Sequence, residues 1–241
     1  FPDRPRYYID YLDSMAIELE PGSGRTYVYS SKDATFLYSS TQTHAEEGWM
    51  GFHWGEIKLW DDWFVTVNGN LLDRAKARVT VKPHELIFNW DGGINLKITP
   101  YGADRDDLRF RMSGLAENSD VILFLIFPHN VIISEQRRDR SMNFFPVANP
   151  SGTDTVGVAM GSVREFELRQ LIKSANSNTG KNPNLTGKQI WGASVSGVGL
   201  ILTINCGKNP VEMPALLKQL FDADTSNFCR YKWLLKELKR S

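Results

Sequence analysis

Ala77-Arg78-Val79-Thr80-Val81, Lys82-Pro83-His84, Glu85-Leu86-Ile87-Phe88-Asn89-Trp90, Asp91-Gly92-Gly93, Ile94-Asn95-Leu96-Lys97-Ile98-Thr99: this run decides the fold. Apolar and polar residues alternate along Ala77 to Val81 and again along Ile94 to Thr99. A period of two belongs to a strand with one buried face. Pro83 and then Asp91-Gly92-Gly93 turn the chain instead of continuing it. Leu108-Arg109-Phe110-Arg111-Met112 repeats the alternation, Ala116-Glu117-Asn118-Ser119-Asp120 turns again, and Val121 to Phe127 is an apolar run of strand length. Strand and turn signals spaced about ten residues apart, with no helical periodicity between them, predict an all-β fold, an antiparallel two-sheet sandwich.

The signals continue on both sides. Towards the N-terminus lie Thr26 to Ser30, Thr35 to Tyr38, and Phe64 to Val67 running into Asn68-Gly69, a hairpin signal because both residues tolerate positive φ. The first ~25 residues, punctuated by Pro2, Pro5 and Pro21-Gly22, read as a lead-in segment. Towards the C-terminus, strands are expected at Val131 to Ile133, Thr155 to Met160, Glu165 to Leu171, Val195 to Leu202 and Thr203 to Asn205. Ser174 to Lys188 reads as a long loop, and Glu135 to Arg140 as a solvated charged stretch.

After that the pattern changes. Pro214 to Phe221 is helical, and Asp224-Thr225-Ser226 can cap a second helix in which Phe228, Tyr231, Leu235 and Leu238 make an apolar stripe. The expected division is a sandwich over residues 1–210 and a helical linker or tail over 211–241. Such a stripe must fold back on the sandwich or dock on another domain. The chain opens at Phe1-Pro2-Asp3 with no initiator methionine, as a processed protein or a piece of a longer one would.

Composition narrows the function classes. In 241 residues, 41% hydrophobic and 23% charged, 28 basic side chains balance 28 acidic ones. That balance argues against a nucleic-acid partner, which calls for a basic surface. No stretch approaches the ~20 apolar residues of a membrane-spanning helix. Cys206 and Cys229 have no metal-ligand spacing and fit either free thiols or one disulfide, so they do not fix the compartment. Asp104-x-Asp106-Asp107 and Asp222-x-Asp224 lack the glycine and terminal glutamate of a calcium loop. No metal or cofactor is expected, and no P-loop, dinucleotide-binding or nucleophile-elbow pattern is present.

The densest chemistry lies between Gly48 and Phe64. Sugar rings present apolar C–H faces to aromatic planes, while carboxylates bond their hydroxyls. Trp49, Trp54, Trp60 and Trp63 with Glu56 and Asp61 are therefore candidate carbohydrate-binding residues, and Glu46, Glu47 and Asp62 lie among them. The plainer alternative is that the rings fill the core and the acids line its outer side.

The run from Ala77 to Phe127, with its Trp90-Asp91-Gly92-Gly93, Asp107-Leu108-Arg109-Phe110-Arg111 and Glu117-Asn118-Ser119 phrases, resembles a known domain. It is similar to the N-terminal supersandwich of glycoside hydrolases and phosphorylases whose catalytic unit is an (α/α)6 barrel. The resemblance implies one large curved sheet, a helical linker at the place of Leu216 to Arg240, and catalytic carboxylates in a barrel that this chain lacks. It implies a non-catalytic domain whose partner is carbohydrate or an adjacent catalytic domain, with a periplasmic or secreted setting favoured. A free-standing carbohydrate-binding module is the second reading. The third draws on sugar mutarotases, which share the supersandwich topology: among His44, His53, His84 and His129, it needs His53 or His129 beside a carboxylate such as Glu165.

Overall fold

The computed structural model describes residues 12–30, 35–44, 48–100, 107–128, 132–133, 137–139, 142–148, 155–161, 166–172, 188–195 and 201–207. In chain order the strands begin with β1 (Ile17–Leu19), β2 (Thr26–Ser30), β3 (Thr35–Ser40), β4 (Gly51–Trp54), β5 (Ile57–Trp60), β6 (Asp62–Val67) and β7 (Asn70–Leu72). β8 (Arg78–Lys82), β9 (Glu85–Asn89), β10 (Asn95–Pro100), β11 (Asp107–Ser113) and β12 (Val121–Phe127) follow. The last described are β13 (Ile132–Ile133), β14 (Arg137–Asp139), β15 (Met142–Ala148), β16 (Thr155–Gly161), β17 (Phe166–Ile172), β18 (Gln189–Val195) and β19 (Ile201–Gly207). The tail over 211–241, Cys229 and nearly all of the Ser174 to Lys188 loop lie outside the described residues.

The fold is an antiparallel β-sandwich, as the alternation predicts. Its large sheet has ten strands in the order β1-β8-β9-β10-β11-β19-β16-β15-β13, with β14 also on β15. Facing it are a five-stranded sheet, β17-β18-β12-β6-β7, and a four-stranded meander, β2-β3-β4-β5. The expected second sheet is thus divided in two, because the chain passes from β5 to β6 through the single residue Asp61 and changes sheets there. The lead-in segment also differs from expectation: Ile17-Glu18-Leu19 pairs with Val81-Thr80-Val79 and forms an edge of the large sheet. In the charged stretch, Arg137 to Asp139 pair with Phe144 to Met142.

The turns form where the sequence has turn residues. Asn68 and Gly69 take φ of 51° and 76°, closing a two-residue hairpin in which Val67 pairs with Asn70. Gly92 and Gly93 both have φ of 80° between β9 and β10.

One hydrophobic cluster spans all three sheets, including Leu37, Phe52, Trp60, Trp63, Phe88 and Leu123. Phe88 of the large sheet meets both opposite sheets, edge-on to Tyr27 at 6.0 Å and to Trp63 at 5.3 Å. Arg74, only 2% exposed, adds a polar link. Its guanidinium donates to Ser39 Oγ (3.2 Å), the Thr43 carbonyl (3.1 Å) and Asp62 Oδ1 (2.6 Å), and lies 5.0 Å from the Trp63 ring centroid. Pairing and hydrogen bonding together make a buried ion pair tolerable. Burial pushes the nearby Tyr27 hydroxyl up to about 12, against the pull of Arg74.

The outer face of the five-stranded sheet is unusual. Exposed faces of antiparallel sheets are normally polar. Here Phe64 opposes Phe124 and Ile126 opposes Ile190 across the ladder, and these four pack into a second apolar cluster. Leu171, 40% exposed, leans over Gly192 beside Ile122, where an added Cβ would lie 2.8 Å from the leucine.

Candidate functional site

The candidate carbohydrate residues are distributed by the local geometry of β4 to β6. On β4, Phe52 points inward and stacks on Trp60 at 4.1 Å, while His53 points outward opposite Phe36. The register shifts between Phe52 and His53, which pair with Trp60 and Lys58 and leave Leu59 as an extra residue on β5. Gly51 has φ of 142°, and a Cβ there would sit 2.3 Å from the Trp60 carbonyl oxygen, so only glycine permits this approach.

The four tryptophans do not form one platform. Trp60 and Trp63 are 1% and 2% exposed and belong to the core, which takes them out of reach of a sugar. Trp54 is half-buried against that core. Glu56 is exposed in the Gly55-Glu56 turn, whereas Asp61 is engaged by two lysines. Trp49 alone of the four is largely exposed, at 66%. Glu46 and Glu47 lie outside the described residues.

Trp49 is held by its neighbours. Phe36 and His53 stack at 4.6 Å and 2°, and Trp49 continues the stack on the far side of His53 at 5.8 Å and 18°. His53 Nε2 donates to the Trp49 carbonyl at 2.8 Å, and the Lys58 ammonium donates to the Gly48 carbonyl. Two successive carbonyls are thus tied to β4 and β5. Lys58 also bonds Asp61 Oδ1 at 2.8 Å, and Lys188 bonds Asp61 Oδ2 at 2.6 Å, giving a Lys–Asp–Lys chain that starts from the Gly48 carbonyl. Burial lowers the His53 pKa and outweighs the opposing effect of its bond to Trp49.

The histidines have separate surroundings. His53 is closed between two rings with no solvent exposure, so it cannot serve as an acid or base toward a bound sugar. His44 meets Phe64 edge-on at 5.3 Å, and His129 and Glu165 lie outside the described residues. His84 is buried in the β8–β9 turn, and its Nε2 is 3.4 Å from Asp13 Oδ1 and 3.8 Å from Glu85 Oε1.

Among the described residues, Asp13, His84 and Glu85 are the group whose ligand atoms lie close enough to hold a metal, all within 4.8 Å. The Lys82 ammonium already bonds Asp13 Oδ1 and Glu85 Oε1 at 3.0 Å each, occupying the place of a cation, and Lys97 bonds Glu85 Oε2 at 3.3 Å. Burial opposes both charges. The Asp13 and Glu85 bonds nevertheless hold Lys82 above its ordinary pKa, and Lys82 and Lys97 hold Glu85 below the usual carboxylate value. The cluster is an ionic network with its own cations. Sequence reading passed over it because the turn residues Pro83 and His84 conceal its convergence with Asp13.

No helix among the described residues is long and apolar enough to cross a membrane. No family model matches this sequence, and no curated protein matches it. Among solved structures, the chain is similar to a protein described as a kojibiose phosphorylase from human microbiome, with a TM-score of 0.38 and 10% identity. The match covers 90% of this chain but only 30% of that one, so the chain spans less than a third of its neighbour's length.

Proposed function

We propose that this chain is a non-catalytic β-sandwich domain of a carbohydrate-active enzyme, and that it supports a helical catalytic domain. The observation that carries this reading is the apolar outer face of the five-stranded sheet, where Phe64, Phe124, Ile126 and Ile190 cluster on the side away from the main core. Ile126 and Ile190 are only 2% and 7% exposed and Phe64 and Phe124 are half-buried, so this second apolar cluster is already largely shielded from water, and burying the remainder of a large side chain is worth at most about 1.5–3 kcal/mol. We assign its cover to the segment 211–241, whose sequence carries an apolar stripe of Phe228, Tyr231, Leu235 and Leu238 complementary in character, and through it to an adjacent domain. The phrases from Ala77 to Phe127 that resemble the supersandwich family fall on β8 to β12, and the first four of these strands lie side by side in the large sheet. The carboxylates Asp61 and Glu85 fit a structural role, since each is bridged by two lysines.

Limited trypsin digestion of the full chain tests this reading. The sites at Lys232, Lys236 and Lys239 are expected to be protected, and Phe124→Lys is expected to open them while the sheet signal in circular dichroism persists. Equal cleavage of both proteins would overturn the docking. Turnover of an aryl glycoside by the 241-residue chain, abolished by one carboxylate substitution, would overturn the non-catalytic assignment.

A further inference from the structure

The outer face of the four-stranded meander carries a feature that the accessory role does not use. Trp49 is the end of an upright stack, with His53 and then Phe36 behind it. One indole face is taken by the imidazole. The residue is nevertheless 66% exposed, which leaves much of the indole open to a ligand. Its position is fixed before any ligand arrives, because the carbonyls of Gly48 and Trp49 are bound by Lys58 and His53. Preorganisation of this kind lowers the ordering cost of binding.

The rim defines the ligand. Lys58 reaches both the Gly48 carbonyl and Asp61, so a charged donor and a carboxylate acceptor adjoin the backbone that leads into Trp49. Lys188 completes the chain, and all three are only 14–25% exposed, partly shielded from water where hydrogen bonds count for more. A simple anion would have to compete with Asp61 for both lysines. A polyol needs donors and acceptors together, and it adds to this arrangement without breaking it. A gluco-configured pyranose carries its hydroxyls equatorially, leaving flat C–H faces for stacking on an indole.

We propose that Trp49 is a carbohydrate subsite, stacking one pyranose ring of a neutral gluco-oligosaccharide while Asp61, Lys58 and Lys188 bond its hydroxyls. The inference rests on the carbohydrate-active reading above and assigns it a place on the sandwich itself, where the chain enters β4 of the four-stranded sheet.

The seven tryptophan indole N–H signals in a proton–nitrogen correlation spectrum provide the test. The full chain is titrated separately with maltohexaose and cellohexaose, and the Trp49 signal is identified as the one missing from Trp49→Ala. That signal is expected to shift with at least one of the two sugars at millimolar concentration. Trp49→Ala is expected to weaken binding about tenfold or more, with the other six signals unmoved as evidence of an intact fold. Asp61→Asn is expected to weaken binding severalfold while the Trp49 signal still responds. If neither sugar moves the Trp49 signal, the proposal is wrong. It is equally wrong if sugar-induced shifts in Trp49→Ala saturate at the same sugar concentration as in the parent chain, or if the Trp49 signal moves with protein concentration but not with sugar, which would make the ring a protein contact. The trypsin experiment is independent of these outcomes, so the subsite can fail while the accessory-domain reading stands.

Discussion

The meander β8 to β11 and the tryptophan-rich segment β4 to β6 are both antiparallel, yet they are built in different ways. In the meander the alternation is clearest on β10, where Leu96 and Ile98 are buried in the core while Asn95 and Lys97 face out. In the tryptophan segment the register slips between Phe52 and His53, Leu59 and Trp60 are both buried, and the chain changes sheets at Asp61. A regular strand repeats one packing decision, so each residue contributes a modest and similar share. A bulged, sheet-switching segment concentrates its stability in a few irreplaceable contacts, and it also turns some side chains outward where a ligand can meet them.

The largest expected difference between the regions comes from the buried ion pair. Arg74→Met leaves Asp62 without its guanidinium and should cost about 3–5 kcal/mol in urea unfolding, whereas Ile98→Val in the meander should cost about 0.5–1.5 kcal/mol. Replacing both partners, Arg74→Met with Asp62→Leu, is expected to recover much of the loss, because no uncompensated charge stays buried. Recovery of nothing would mean that the hydrogen bonds to Ser39 and Thr43, and not the charge, hold the sheets together.

A smaller effect tests the bulge. Gly51→Ala places a Cβ 2.3 Å from the Trp60 carbonyl oxygen, while Gly69→Ala meets open space at φ of 76°. The first should cost about 1–3 kcal/mol and the second about 1 kcal/mol at most. Equal costs would show that the backbone near Trp60 yields easily, and the contrast between the regions would lose its basis.

Acid titration gives the smallest signal and separates the regions by pH. His53 has a folded pKa below its ordinary 6.5, so its contribution to stability is full above that value and declines as pH falls from there through the folded value. Glu85 is likewise held below its ordinary 4.5, so its contribution is lost as pH falls from there through its own folded value. Unfolding free energy measured against pH should therefore fall in two stages. His53→Gln should flatten the upper one and Glu85→Gln the lower. An upper stage that persists in His53→Gln would assign it to another group.

These contrasts also explain what was legible. β2 and β12 have the bounds that their residues indicate, since aromatic and β-branched alternation or an unbroken apolar run is visible in a few letters. β1 was hidden because three residues at a sheet edge carry too little pattern. β15 contains Pro146, which lacks the amide proton that a ladder uses, and so reads against a strand. Val195 ends β18 where the sequence suggested that a strand begins. At the candidate site the residue types were readable but their faces were not: a tryptophan carries the same letters inside the core as on its surface, and what separates the two is that Trp49 precedes β4 while Trp60 lies on β5 opposite Phe52.

The placing of β19 has a consequence for how the protein is made. This strand pairs with β11 on one side and β16 on the other, joining Leu108 to Ile204 and Met160 to the same residue. A chain emerging from the ribosome can assemble β8 to β11, and separately β15 and β16, from neighbouring sequence. The two halves of the large sheet stay unjoined until Ile201–Gly207 arrives, each with an open edge that can pair with another chain. Closure waits for contacts nearly a hundred residues apart in sequence, the kind that slow folding most. Any truncation that removes β19 therefore divides the large sheet at its middle, leaving two adhesive borders in place of one finished surface.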